Sequence, residues 1–190
     1  LWFASPAGNL PDSADLAAQS LPVDRCGGRL DAAGMEVVGR QLTLPETYGK
    51  PSRVLTWQEV EQKLVESKTY WLATTRTDGR PHSVPVDGIW LEGALYFGGD
   101  PATVHIRNLR SDPRAVVHTE SGESPVIAEG TAEWYEPSPD EISRLVKATQ
   151  AKYGYPVAPE SYIGGTWRLL PGRVLAWNVL YQDATRFTLA

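Results

Sequence analysis

The chain has 190 residues, of which 42% are hydrophobic, 22% charged and 9% aromatic, enough material for one sizeable core in one domain. Its 18 Lys and Arg stand against 23 Asp and Glu, a formal charge of −5, and no block of Lys or Arg supplies the basic face of a nucleic-acid binder. The single cysteine, Cys26, excludes an intrachain disulfide, and three histidines offer little to an all-protein zinc site, while no apolar run approaches the roughly 18 residues of a membrane span.

Residues 1–34 mix Pro, Gly, Ser, Ala and Asp with isolated Leu, and apart from a short turn near 15–21 no period persists. They lack the basic start and apolar centre of a secretory signal. The expectation is an irregular N-terminal extension over 1–35, read as sequence upstream of a natural start at Met35, with 36–190 as the working domain in the cytoplasm. Residues 36–55 read as an irregular lead-in broken by Pro45, Gly49 and Pro51. Thr56 and Glu59 then form a capping box, and Trp57, Val60, Leu64 and Val65 an apolar stripe, so a helix is predicted to end near Ser67.

From there the period becomes two. Strands are predicted over 70–75, 82–90 and 95–97, joined by tight turns at Asp78-Gly79 and Glu92-Gly93. Pro85 inside the second strand marks an edge, a bulge or a place where another group approaches. Asp100-Pro101 caps a predicted short helix running to about Arg110. Strands follow over 115–119 and 126–135, with Gly130 at a bend. Ser138-Pro139-Asp140-Glu141 opens a second helix with Ile142, Leu145, Val146 and Thr149 on its buried face. A Gly, Pro and Tyr-rich connection over 153–165 leads to three closing strands over 166–170, 174–180 and 185–189. Short hairpin-linked strands with few helices predict a closed or nearly closed antiparallel barrel.

The chemistry is narrowed first by exclusion. Neither G-x-G-x-x-G nor G-x-x-x-x-G-K-[ST] occurs, and Ser83, Ser121 and Ser124 lack the G-x-S-x-G elbow of a hydrolase. His82, His105 and His118 have no recurring metal-ligand spacing. The segment DPATVHIRN over 100–108 is more informative. It sets Thr103, His105, Arg107 and Asn108 beside a helix start whose free N–H groups suit a phosphate. A surface helix with Arg and Asn facing water accounts for the same residues. In the strand His82-Ser83-Val84-Pro85-Val86 the proline interrupts the main-chain ladder where a flat ring can lie against the backbone.

The run YWLATTRTDGRPHSVPVDGIWLEGALYFGGDPATVHIRNLRSDPRAVVH, with the strands around 126–133 and 174–177 and the terminal Asp183-Ala184-Thr185-Arg186-Phe187, resembles the FMN- and F420-binding split-barrel superfamily named after pyridoxamine 5′-phosphate oxidase. The resemblance covers roughly residues 42–188. It implies a mainly β, six-stranded antiparallel split barrel with peripheral helices, assembled as a homodimer with FMN or F420 in grooves at the interface. It assigns the ring contact to Ser83, Val84, Pro85 and Val86; His82, counted with the cofactor-binding residues, is the candidate proton donor, with a structural hydrogen bond as the equal alternative. The phosphate falls to Thr103, His105, Arg107 and Asn108, and contributions from the second subunit to Trp177 and Arg186, for which plain dimer packing is an equal alternative. Val104 departs from the pattern, because many relatives carry a basic residue there or at the next position. His105 supplies only part of a charge near neutral pH, so Arg107 must carry more of the phosphate, helped by Arg80 or Arg76. The C-terminal substrate segment of an authentic pyridoxamine 5′-phosphate oxidase is missing, so vitamin B6 oxidation is not implied. The expected activity is hydride transfer to or from a small organic substrate, with Tyr153, Tyr155 and Tyr162 either lining its mouth or, the favoured reading, packing as ordinary structural residues. The alternatives are a non-catalytic cofactor, haem or small-ligand binder on the same barrel, and a structural dimer that has lost the site.

Overall fold

The computed structural model describes residues 29–30, 34 and 36–190. The reading of 1–35 as an extension, and Cys26 with it, therefore falls largely outside the described residues. Helix α1 (Trp57–Glu66) starts where the capping box places it. The Thr56 hydroxyl accepts from the Glu59 N–H at 3.3 Å, and the Glu59 carboxylate accepts from the Thr56 N–H at 2.8 Å. Val60 and Leu64 are buried, whereas Val65 lies outside the stripe at 49% exposure.

Strands β1 (Arg29–Leu30) and β2 (Glu36–Gln41) precede that helix. The meander after it is β3 (Thr69–Thr75), β4 (Pro81–Leu91) and β5 (Ala94–Phe97). Then come α2 (Val104–Ser111), β6 (Arg114–Thr119), β7 (Val126–Tyr135), α3 (Pro139–Tyr153), β8 (Thr166–Ala176), α4 (Leu180–Asp183) and β9 (Thr185–Leu189). Two expectations are corrected. The lead-in over 36–55 contains the strand β2, which pairs with β9 from Val37↔Leu189 to Gln41↔Thr185. Its glycine hides the β pattern, yet Gly39 is required: a Cβ there would lie 2.8 Å from the Phe187 ring. The predicted strands over 166–170 and 174–180 are one bent strand, β8, which ends at Ala176 and leaves Trp177 beyond it.

β8 organises the barrel. Along one edge it pairs with β7 over its whole length, from Tyr135↔Thr166 to Val126↔Ala176. Its other edge is divided: Trp167 to Leu169 pair with β5, and Arg173 to Ala176 pair with β9. Following the pairings β8-β5-β4-β3-β6-β7 and back to β8 closes six antiparallel strands, from which β9, β2 and β1 extend as a flap. The division needs a bend, which falls where the register shifts between Glu129 and Gly130. A Cβ on Gly130 would stand 2.1 Å from the Leu170 carbonyl oxygen, so only glycine permits this approach.

Alternation fills the interior with Tyr70, Leu72, Leu95, Val117, Leu169, Val174 and Phe187. Outside the barrel, α3 seals the outer face of β5 and the second half of β4, where Leu145 packs on Ile89, Ala94 and Tyr96. Of its predicted buried face, Leu145 and Thr149 are buried and Ile142 and Val146 half-buried.

Gly130→Ala is expected to destabilise the chain by about 3 kcal/mol, the upper part of the overpacking range. Gly122→Ala, where a new Cβ meets nothing within 4 Å, should change stability by less than ~0.5 kcal/mol. Urea unfolding of both variants checks this, and equal effects would contradict the bend.

Candidate cofactor site

β4 has two unlike halves. Gly88 to Leu91 pair with β5 on one side, whereas Pro81 to Asp87 pair only with β3. Pro85 therefore sits in a stretch with one open edge, where a missing N–H disrupts no second ladder. His82, Val84 and Val86 turn inward, and Ser83, Pro85 and Asp87 are exposed on the outer face. Val84 packs against the core, so of the expected ring-contact residues it is Ser83 and Pro85 that present side chains outward.

Helix α2 begins at Val104, four residues later than Asp100. The reason is an Asx turn: Asp100 Oδ1 accepts from the Ala102 N–H at 2.7 Å, and the Asp100 carbonyl accepts from the Thr103 N–H at 2.9 Å. The Thr103 hydroxyl also donates to that carbonyl at 2.7 Å, so Thr103 is the N-cap residue without capping through its side chain. Among the described residues the first-turn N–H groups of α2 have no side-chain acceptor at the positive end of the helix dipole.

Around that end, Arg107 is exposed and forms no ion pair among the described residues. His105 is buried at 9% exposure, and its Nε2 has no hydrogen-bond partner. Burial first, and the nearby His82 second, hold its pKa below the ordinary 6.5. Asn108 is buried and donates to Thr74 Oγ1 at 2.9 Å. Thr74 stands opposite His82 in the β3–β4 register, so this one threonine ties α2 to both strands. Of the hairpin arginines, Arg80 is engaged by Asp78 at 2.7 Å, and Arg76 has no such carboxylate among the described residues.

The structure thus gathers His82, His105 and Asn108 into one cluster with Thr103 and Arg107 at its rim, beside the open edge bearing Ser83 and Pro85. It does not bring Trp177 and Arg186 to that cluster within one chain. Trp177 lies beyond β8, where its N–H donates to the Pro125 carbonyl at 3.4 Å and its carbonyl accepts from Lys63 Nζ at 3.1 Å. Arg186 points outward from β9. Of the connection tyrosines, Tyr153 hydrogen-bonds to Lys68 and Gly88, and Tyr162 to Thr149, while Tyr155 is exposed.

Sequence reasoning missed two features. The first is Lys152, whose Nζ donates to the Gly88 carbonyl at 2.6 Å and the Tyr70 hydroxyl at 3.0 Å. Burial pushes its pKa down to about 8. A basic residue in the last turn of a helix is ordinary, so only its neighbours reveal it. The second is a row of outward residues standing opposite one another across the strands: Arg40, Arg186, Leu175, Ile127, His118, Trp71 and Pro85. Its middle is apolar, with the Trp71 and His118 rings stacked at 6.5 Å, although it lies on the outside of the barrel.

Six closed strands with one edge of β8 divided between two partners define a split barrel. The profile of the pyridoxamine 5′-phosphate oxidase family matches residues 56–177, more than half of the chain. The chain belongs to that family. A conserved hypothetical protein from Mycobacterium tuberculosis shares the fold with a TM-score of 0.57 and 23% identity, over 68% of this chain and 88% of that one. A heme binding protein from Mycobacterium smegmatis does so with a TM-score of 0.52 and 23% identity, over 78% of this chain and 59% of that one. No curated protein matches. Among the described residues no helix is long and apolar enough to cross a membrane.

His105 gives the cluster a pH signature. Its depressed folded-state pKa means that the unfolded chain takes up this proton at higher pH than the folded chain. The contribution is fully present above the unfolded value of 6.5 and is lost as pH falls through the lower folded value. Urea unfolding between pH 7 and pH 5 should show a smaller loss of stability in His105→Gln than in the parent chain, whereas identical pH slopes would contradict the burial of a neutral imidazole.

Proposed function

We propose that the chain is an oxidoreductase that holds FMN or F420 at the interface of a cytoplasmic homodimer and transfers hydride to or from a small organic substrate, with residues 36–190 as the working domain. The observation that carries this reading is the open first turn of α2 with Arg107 at its rim, next to the one-sided half of β4. Uncapped N–H groups and a guanidinium without an ion pair among the described residues fit a phosphate monoester or diester. Ser83 and Pro85 offer a flat backbone edge to a ring. Family membership supports a cofactor of this kind.

Thr103 and Arg107 would hold the phosphate, and Asn108, fixed through Thr74, would keep α2 in place. His105, buried against Gly99, forms the wall behind that position rather than a direct contact. When bound, the cofactor supplies the hydride chemistry, and the protein sets distance, face and polarity. His82 turns into the same cluster and is the residue placed to hold a proton near it.

The outward row supports the dimer. An isologous contact pairs each position with its mirror about the two-fold axis. With the axis at Ile127, the middle of the row, Arg186 of one chain meets Trp71 of its partner, and Arg40 meets Pro85. Two convex barrels that touch at Ile127 diverge toward both ends of the row and leave two equivalent wedges. Each wedge is flanked by Ser83 and Pro85 from one chain and by Arg186 from the other. This places Arg186, remote from α2 within one chain, at the partner's site, with Trp177 past the end of the adjoining β8. Haem binding is the second reading, prompted by the likeness to the Mycobacterium smegmatis protein. Gly99 argues against His105 as its ligand, because even a Cβ there would come within 2.8 Å of Nε2.

Titration of the native chain with FMN, F420 and hemin tests these readings together. FMN or F420 should bind at micromolar or tighter affinity, and Arg107→Ala should cost at least ~1.5 kcal/mol, the weakest loss expected for a charged hydrogen bond. Failure of both to bind overturns the oxidoreductase reading, and a Soret shift with hemin alone selects the haem binder. Ile127→Arg buries a charge at the proposed axis and should convert dimer to monomer in sedimentation, with loss of cofactor binding. A variant that remains dimeric would place the interface elsewhere.

A further inference from the structure

β2, which reads as irregular lead-in from the sequence, carries an arginine whose neighbour gives it a purpose. Arg40 stands directly opposite Arg186 in the β2–β9 register, both outward and both exposed. Side chains so placed have Cβ atoms about 5 Å apart, and like charges there are destabilising. Most arginines elsewhere escape this cost through a carboxylate, with Arg76, Arg107 and Arg110 also lacking one among the described residues. Arg173, diagonal to Arg186 on the same face, is held by Glu129, and Arg53, Arg80, Arg114, Arg144 and Arg168 each have a carboxylate within 4.0 Å. Among the described residues neither Arg40 nor Arg186 has one. Their neighbours on the face are Thr188, Val38 and Leu175, which add a hydroxyl and apolar walls but no negative charge.

We infer that Arg40 and Arg186 together form a receptor for a carboxylate or phosphate group, distinct from the phosphate position at α2. Two planar guanidinium forks at this spacing can each give parallel N–H donors to one oxyanion, and the anion removes their mutual repulsion. The receptor's place beside a cofactor rests on the two-fold dimer proposed above, which sets the pair against Pro85 of the partner. There the oxyanion belongs either to the substrate, which is then an organic anion, or to a carboxylate of F420, since the one oxyanion of FMN is the phosphate assigned to α2.

The experiment uses the full chain and its Arg40→Gln and Arg186→Gln variants, loaded with whichever of FMN or F420 binds. Calorimetry measures cofactor affinity, then the affinity of the loaded protein for benzoate and for its neutral counterpart benzamide. Benzoate binding that exceeds benzamide binding and falls about tenfold in both variants, with cofactor affinity unchanged in Arg40→Gln, assigns the oxyanion to the substrate. A similar fall in F420 affinity in Arg40→Gln assigns it to the F420 carboxylates, whereas such a fall in FMN affinity puts the phosphate at the pair and overturns a receptor distinct from α2. If both variants keep parental affinity for benzoate and cofactor, the inference is overturned. If no cofactor binds, the oxidoreductase reading fails, and the receptor is judged on the unloaded chain. Inorganic phosphate should then raise the Tm of the parent more than that of either variant at ionic strength matched with NaCl, and equal shifts overturn the inference. Without added anion both variants should melt no lower than the parent, since each loses one of two repelling charges, and this separates loss of the receptor from loss of the fold.

Discussion

The approach of two backbones at Gly130 governs the rest of the molecule. Because the Leu170 carbonyl occupies the place of a side chain there, β8 can bend while it stays paired with β7, and its other edge is free to change partners. The first part takes β5 and closes the barrel, and the second takes β9 and carries β2 outward as a flap. Without that bend β9 would not lie beside β8, and the outward row would end before Arg186 and Arg40. A packing constraint of a single missing methyl group thus decides both the closure of the core and the reach of the outer face.

The distribution of cover on the outside follows from the same topology. α3 is tethered over β5 and the second half of β4, where Lys152 and Tyr153 hydrogen-bond to Gly88. The other outer half, over β3, β6, β7 and β8, carries Trp71, Val116, Ile127 and Leu175, with no helix packed on it among the described residues. The two halves of β4 therefore serve different ends, one as part of a sealed wall and the other as an edge with Pro85 beside an open helix terminus. Total charge says little about such a surface. A chain of net −5 still presents Arg40, Arg107 and Arg186 without carboxylate partners among the described residues, and the local position of those charges decides what anion can settle.

Much of this was legible in the sequence because it rests on local rules. Both capping boxes, the turns at Gly79 and Gly93 and the alternation of the meander act within a few residues, and each stands where the spacing put it. Long-range effects were not legible. The joining of 166–170 to 174–176 across Pro171 and Gly172 depends on β7, and the strand character of β2 depends on Phe187 receiving Gly39. Asp100 misled for a local reason, since its side chain closes an Asx turn before the helix rather than capping the helix. The residues expected at the phosphate are together at α2, whereas Asn108 acts through Thr74 and His105 is buried rather than displayed. Arg40 drew no attention because only the β2–β9 register sets it beside Arg186.

The proposed cofactor dimer is tested most directly by native mass spectrometry of the full chain titrated with FMN and with F420. A dimer that takes up two molecules of one of these cofactors, one for each wedge, is the expected result. A monomer that binds one cofactor, or a dimer that binds neither, would contradict the placement of the site between two chains.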